Sequence, residues 1–324
     1  MKLLPQKEFL KKYRHSEEDF KKSLLKWADL ESIYESYLKE MGFLEDAGFS
    51  IMNIIRKIDG VHSVKFRIKD PEHLVEKIIR KRLNNPKLEV TVNNYKDQFT
   101  DLIGVRALHL FKNDWEYIHE QITATWNLKQ DPEINYREGD SNEFLQTYIN
   151  KNIKQKVHKY GYRSVHYIVE TRPAKEIYFA EIQVRTIFEE AWSEIDHTVR
   201  YPYDQDNPIY GQFLMILNRL AGSADEMGSF VMYLKNELSI ISDEHIKKIN
   251  KKDAIIKDLR KQIENSKMRN QDKTVIYNNL DQLEFLTNAE NNFKKISELK
   301  IPVFNKETIN DILDSFMYKP EESN

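Results

Sequence analysis

FAEIQVRT, residues 179–186, alternates with the two-residue period of a β-strand. Ala180, Ile182 and Val184 share a face that belongs on a core. Phe179, Glu181, Gln183 and Arg185 share the other. An acid, an amide and a guanidinium in a row are not the Thr/Ser/Lys mixture of an idle solvated strand, so this polar face asks for a ligand. Similar strands lie on either side. SVKFRIK (63–69) alternates strictly, DLIGVRALHLF (101–111) reads as a mostly buried strand, and RSVHYIVE (163–170) is a third. Helices are expected between them: one opened by Pro71 and running through Arg82, one over NDWEYIHEQITATW, and a long one over IFEEAWSEIDHTVRY. Strands alternating with helices predict an α/β or α+β core over roughly 60–200.

The chain of 324 residues is long enough for one large domain or two modest ones with a real core. Lys+Arg 50 against Asp+Glu 52 gives a formal net charge of -2, which argues against a globally basic nucleic-acid binder and leaves room only for local patches. Cysteine is absent, so disulfides and thiolate metal sites are excluded, as suits a reducing cytoplasm. No apolar run reaches membrane-spanning length, and MKLLPQKEFLKKYRHSEED lacks a signal-peptide core. The expectation is a cytoplasmic protein with no membrane partner.

The flanks are helical. Ser16 followed by Glu17, Glu18 and Asp19 marks a helix start. Periodic apolar residues from Leu24 to Leu38, and again from Ile51 to Ile58, predict two amphipathic helices, closed by Gly60. Beyond Pro202 the pattern is helical only. FLMILNRLAGSADEMGSFVMYLKNEL forms one segment and DEHIKKINKKDAIIKDLRKQIENSK a second, with Ile249, Ile256, Leu259 and Ile263 at near-heptad spacing. A helical hairpin packed on the core and an arm that binds a partner or a second copy fit equally well. The tail YKPEESN is expected to fray. The implied division is 1–59, N-terminal helices packing on the core; 60–205, the mixed core; and 206–324, an all-helical extension.

Chemistry concentrates on the polar strand faces. Lys65, Arg67 and Lys69 stand side by side on 63–69, where three cations repel unless solvent or an anion neutralises them. Alone they read as a solvated basic edge. Lys77 in the following helix can point the same way, and Arg106 adds a two-pronged donor suited to phosphate. Cations converging from separate elements suit a polyphosphate. Asp101 and Glu181 could hold Mg²⁺ through oxygen ligands, or each could simply pair with a nearby Arg or Lys. In GYRSVHY (161–167) Gly161 allows a tight turn, Tyr162 could stack on a nucleobase, and Ser164 and His166 share a face. A packed tyrosine and a satisfied histidine are the commoner outcome for such a pair. Lys151, Lys154, Lys156 and Lys159 in KNIKQKVHKY read as a solvated loop or an anion-binding flap.

Taken together, Arg67-x-Lys69 with Lys77 eight residues on, DLIGVR, GYRSVH, EIQVRT and W-x-E-x-D-H resemble the synthetase domain of RelA/SpoT proteins over roughly 50–205. The resemblance implies an α+β nucleotidyltransferase fold distantly akin to polymerase β, with a mixed sheet flanked by helices. It implies a pyrophosphokinase that moves the β,γ-diphosphate of ATP to the 3′-hydroxyl of GDP or GTP. Arg67, Lys69 and Lys77 would then grip ATP with Arg106 at its phosphates. Asp101 and Glu181 would hold Mg²⁺, Glu181 helping to deprotonate the acceptor. Tyr162 would stack on the acceptor guanine, His166 and Gln183 would line its pocket, and Arg185 would orient.

Three departures stand out. His158-Lys159-Tyr160-Gly161-Tyr162 replaces the family's Lys-x-Asn-Gly-Tyr, which leaves the acceptor open. The spacer DPEINYREGDSNEFLQTYIN lengthens the approach to that loop. No HD hydrolase module is present, the nearest pairing being the reversed Asp196-His197, so synthesis without hydrolysis is expected. The basic loop and altered pocket keep open a toxic synthetase that modifies the tRNA 3′ end or makes an adenosine alarmone. A catalytically idle module recruiting a partner is the third reading, and retention of both Asp101 and Glu181 counts against it.

Overall fold

In a computed structural model describing residues 2–140, 142–200 and 207–282, six strands form one mixed sheet. They are β1 (Val61–Ile68), β2 (Ile103–His109), β3 (Glu133–Tyr136), β4 (Lys154–Val157), β5 (Ser164–Thr171) and β6 (Tyr178–Thr186), in spatial order β1-β2-β6-β5-β3-β4. β2 and β6 run parallel at the centre, with β1 and β5 antiparallel on either side. FAEIQVRT is therefore a central strand, and its apolar face is buried throughout: Ala180, Ile182 and Val184 are all core residues. Mixed sheet and flanking helices make the α+β class expected from the alternation.

The helices are α1 (Gln6–Lys12), α2 (Glu17–Ser23), α3 (Trp27–Ile55), α4 (Pro71–Asn84), α5 (Tyr95–Gln98), α6 (Asp114–Thr125), α7 (Asn142–Ile149), α8 (Ile187–Arg200) and α9 (Pro208–Glu264). Ser16 caps α2 as its sequence suggests, its hydroxyl accepting from the Asp19 N–H at 2.9 Å. α2 then stops at Leu24, which takes a left-handed φ of 57°. The stretch read as two helices is mostly one, α3, because nothing between Leu38 and Ile51 forces a break. Its buried residues, among them Leu30, Ile33, Tyr37, Leu44, Ile51 and Ile55, recur every three or four positions and join the same core as β1 and β2.

Gly48 sits where α3 meets the sheet. A Cβ there would lie 2.6 Å from Cδ2 and 2.9 Å from Cε2 of Phe66, and 3.3 Å from Cγ2 of Ile103. Alanine would gain about 1 kcal/mol of helix propensity, but driving a methyl into the Phe66 ring costs about 1–3 kcal/mol. Gly48→Ala is expected to lower the melting temperature, and a thermal melt showing it raised would mean α3 and β1 separate without cost.

The spacer and the basic loop are not what the sequence suggests. β3 and α7 occupy the spacer, and residues 154–157 form edge strand β4, parallel to β3. KQKV has no apolar alternation and all four residues are exposed, so only backbone pairing makes it a strand. Its lysines are matched to acids: Lys154 to Asp131 at 3.1 Å and Lys156 to Glu133 at 3.0 Å, with Lys151 on Glu120 at 2.6 Å.

The chain divides into two compact units, Met1–Ser229 and Phe230–Asn324. In the first, α9 turns Leu214, Asn218, Ala221 and Asp225 inward, and the Trp192 indole donates to the Leu214 carbonyl at 2.8 Å. The two segments read beyond Pro202 are joined in one helix, as no Gly or Pro lies in NELSIISDEH to end it. In the second unit α9 ends at Glu264 and a helix over 270–282 returns alongside it. Lys273 Nζ donates to the Glu264 carbonyl at 2.8 Å and the Tyr277 hydroxyl to that of Arg260 at 3.3 Å. This is a helical hairpin, with Ile256 and Ile263 half-buried and Leu259 exposed. The Ile249 side chain and the tail YKPEESN lie outside the described residues. Among those described, no helix is long and apolar enough to cross a membrane.

Candidate active site

Strand register assembles the site. Lys65 pairs with Arg106, Arg106 with Gln183, and Gln183 with His166; in the adjoining row Arg67 pairs with Gly104 and Gly104 with Glu181. Positions two apart share a face, so cations of β1 and β2 face an acid and an amide of β6. Gly104 puts no side chain between Arg67 and Glu181. The space left is a cleft of about 160 Å³ lined by Lys65, Arg67, Asp101, Arg106, Glu181 and Gln183, with Phe66 and Gly104. Asp101 and Glu181, 80 positions apart in the chain, open onto it together.

Asp101 lies in the turn before β2. Lys69 Nζ reaches its Oδ2 at 2.8 Å and Lys77 Nζ reaches the same oxygen at 2.5 Å. Both lysines are placed by their elements. The Lys69 carbonyl accepts from the Tyr37 hydroxyl at 2.7 Å, and Asp70 caps α4 by accepting from the N–H groups of Glu72 and His73. Burial pushes the Asp101 carboxyl up, but Lys69 and Lys77 more than offset it and hold it at about 2. Asp101 Oδ1 is buried with no hydrogen-bond partner. A carboxylate oxygen without a partner, on a cleft that a second carboxylate also lines, suits a hard cation. Among the described residues no three His, Asp or Glu side chains form a complete cage. Such a cation would therefore take its other oxygens from phosphate and water.

Glu181 is fixed at both oxygens. Gln183 Nε2 donates to Oε2 at 2.8 Å, and His166 Nδ1 lies 3.2 Å from Oε1. Burial raises the Glu181 carboxyl, and the His166 contact outweighs it, so the net shift is downward. An ionised carboxylate only accepts, so Nδ1 is the donor to it, while the Tyr162 hydroxyl lies 3.0 Å from His166 Nε2 and donates to Gln183 Oε1 at 3.4 Å. Tyr162, His166, Gln183 and Glu181 are thus one connected network. The Tyr162 ring also faces Arg185, at 5.2 Å, and His158, at 5.3 Å. The His158 side chain accepts from the N–H groups of Tyr160 and Tyr162, both at 3.4 Å, so it organises the divergent loop from within.

The remaining arginines divide. Arg67 is exposed at the rim. Arg106 lines the cleft but is held from behind, donating to Glu190 at 3.0 Å and pairing with Glu194. Arg185 is only 3% exposed, paired with Glu190 and donating to Ser193 Oγ at 3.0 Å, which fits orientation rather than substrate contact. Trp192 is core, His197 is exposed, and Asp196 pairs with Arg200 at 2.8 Å. Glu190, bridging two arginines, escaped the sequence reading. No local pattern singles it out, since Glu189, Glu190 and Glu194 all lie on the helix that follows Arg185.

At the α8–α9 junction lies a cavity of about 40 Å³ whose lining includes His109, Lys112, Arg163, Arg185, Glu189 and Asp225. Glu189 Oε1 accepts from Arg163 at 2.9 Å and Asp225 Oδ2 accepts from Thr186 at 2.8 Å, while Glu189 Oε2 and Asp225 Oδ1 are buried without partners. Burial raises Glu189 to about 7 and Asp225 to about 6. A carboxyl raised in the folded state loses stability as pH climbs from its unfolded value towards its folded one, here from about 4 to about 6. Asp225→Asn keeps the Thr186 acceptor and removes that penalty. It should stabilise the protein by up to about 3 kcal/mol at pH 8 and by much less at pH 4.5. Equal effects in denaturant melts at the two pH values would show that Asp225 is not a buried carboxylate.

A family model described as the region found in RelA / SpoT proteins matches residues 66–206. GTP pyrophosphokinase YwaC of Bacillus subtilis (strain 168) is 29% identical over 195 residues, spanning 56% of this chain and 82% of the relative. Among solved structures, a GTP pyrophosphokinase family protein from Streptococcus pneumoniae is 24% identical with a TM-score of 0.43, over 64% of this chain and 94% of that one. The small alarmone synthetase 1 from Bacillus subtilis is 20% identical with a TM-score of 0.42, over 65% and 98%. The matched stretch begins at Phe66 in β1 and contains Arg67, Lys69, Lys77, Asp101, Arg106, Tyr162, His166, Glu181 and Gln183. Residues 66–206, which carry all of the cleft's lining but Lys65, are similar to the region found in RelA / SpoT proteins.

Proposed function

We propose that this protein transfers the β,γ-diphosphate of ATP to the 3′-hydroxyl of GDP or GTP, making (p)ppGpp. The observation that carries the reading is the opening of Asp101 and Glu181 onto one cleft rimmed by Lys65, Arg67 and Arg106. The RelA/SpoT match and the activity named for YwaC point the same way. Arg67, Lys69 and Lys77 bind and align the triphosphate, and Arg106 supports its phosphates. Tyr162 stacks on the acceptor guanine, with His166 and Gln183 lining that pocket. The acceptor 3′-oxygen attacks the β-phosphorus, the bond to the α,β-bridging oxygen breaks, and AMP leaves with that oxygen. Glu181 takes the hydroxyl proton, and His166 and Gln183 keep its oxygens aimed. Asp101 and Glu181 are the residues that would hold Mg²⁺, which supplies charge neutralisation and acidifies the hydroxyl when bound.

The test is purified protein with γ-labelled ATP and GDP, GTP, ATP and bulk tRNA as competing acceptors. Label is expected in guanosine tetra- or pentaphosphate. Label on tRNA or on an adenosine nucleotide would replace this reading by the alternative acceptor. Synthesis without hydrolysis belongs to the same proposal, and Mn²⁺-dependent release of pyrophosphate from ppGpp would overturn it.

A further inference from the structure

Lys69 and Lys77, the cations assigned to the triphosphate, sit instead on the carboxylate assigned to the metal. Both ammonium groups reach one oxygen, Asp101 Oδ2, and all three side chains are four-fifths or so desolvated, at 16%, 22% and 21% exposure. We propose that Asp101, Lys69 and Lys77 form an exchange switch that admits the divalent cation and the nucleoside triphosphate together and disfavours either alone. The inference rests on reading the cleft as the site for a metal-bound triphosphate.

The reason is charge conservation in a poorly solvated space. A cation arriving alone at Asp101 would leave two ammonium groups without a counter-charge beside a dication. Lys81, one turn further along α4, would add to the repulsion; burial and then Lys77 already pull its ammonium down. A triphosphate arriving alone would draw off both lysines and leave a bare carboxylate facing its phosphates. Arriving together, they re-pair every charge: the carboxylate and phosphate oxygens take the cation, and the lysines take phosphate. Asp101 Oδ1, buried without a partner, is the one carboxylate oxygen that neither ammonium group already holds.

Two binding measurements, neither of them an activity, test the switch. In the first, Mn²⁺ is titrated into nucleotide-free full-length protein and followed by electron paramagnetic resonance. Lys77→Met and Lys69→Met keep the apolar stem and remove the charge. Each should tighten Mn²⁺ binding by about tenfold, in the range of ordinary site-to-site coupling, and Lys77→Arg should leave it near wild type. In the second, an ATP analogue with a non-hydrolysable α,β link is titrated in excess chelator. Asp101→Asn should bind it about tenfold more tightly than wild type, because both lysines are then free to take phosphate. The second arm stands even if a lysine variant fails to fold.

Mn²⁺ affinity unchanged or weakened in both Met variants, with Asp101→Asn still abolishing Mn²⁺ binding, would overturn the exchange and leave the cleft reading standing. So would metal-free nucleotide binding that Asp101→Asn leaves unchanged or weakens. Mn²⁺ bound equally well by Asp101→Asn would instead remove the cleft reading itself.

Discussion

Glu181→Gln is expected to lower diphosphate transfer by about 10²–10⁴-fold while the fold and the KM for ATP stay close to wild type. The amide has the shape of the carboxylate and retains one acceptor oxygen for His166 or Gln183, the groups that hold Glu181 at 3.2 and 2.8 Å. It cannot take a proton, and it is a poorer ligand for a cation shared with Asp101. The loss should therefore fall on kcat, because the groups assigned to ATP (Arg67, Lys69 and Lys77) are untouched. His166→Gln offers a graded comparison: it removes the group that aims Oε1 but not the base, so a smaller loss is expected. Steady-state kinetics of labelled diphosphate transfer, read beside a thermal melt, decide the matter. An E181Q protein retaining more than a tenth of wild-type kcat would remove Glu181 from the chemistry.

Glu190→Ala is expected to give the largest loss of stability among single substitutions at the site. Glu190 is 6% exposed and pairs with Arg185, which is 3% exposed, and with Arg106 at 3.0 Å. Arg185 already has one buried nitrogen, Nε, without a partner. Truncating the shared acid would leave a guanidinium with no counter-charge in the interior, which costs about 3–5 kcal/mol. Because Arg106 lines the cleft and Arg185 backs the Tyr162 ring, activity should fall along with stability. The double variant Glu190→Leu with Arg185→Met, which replaces the pair by apolar volume, should recover much of the stability but not the activity. Urea unfolding of the three proteins measures this. A Glu190→Ala loss below about 1 kcal/mol would mean water reaches the pair and the burial is apparent only.

Much of the cleft's lining was legible because the motifs that carry it are short and strand-borne. Arg67, Asp101, Arg106, Glu181 and Gln183 lie on or beside strands whose alternation can be read directly, and the structure gathers all of them around one cleft. Glu190 was not legible. It sits 84 positions from Arg106, and no local pattern says which of several helix acids turns inward. Strands β3 and β4 were not legible for a related reason: EINY alternates over only four residues and KQKV has no apolar period, so partners elsewhere in the chain make them strands.

Periodicity and residue type, which act between near neighbours along the backbone, settled by themselves the strand–helix alternation, the buried face of 179–186, the cap at Ser16 and the chemistry on offer at each motif. Only the folded chain decided that α3 runs unbroken over Gly48, and that Lys69 and Lys77 close on Asp101 while Glu190 ties two arginines together. Those outcomes depend on which groups remain without water or a counter-charge once the sheet has assembled, and that is a property of three-dimensional neighbours, not of sequence neighbours.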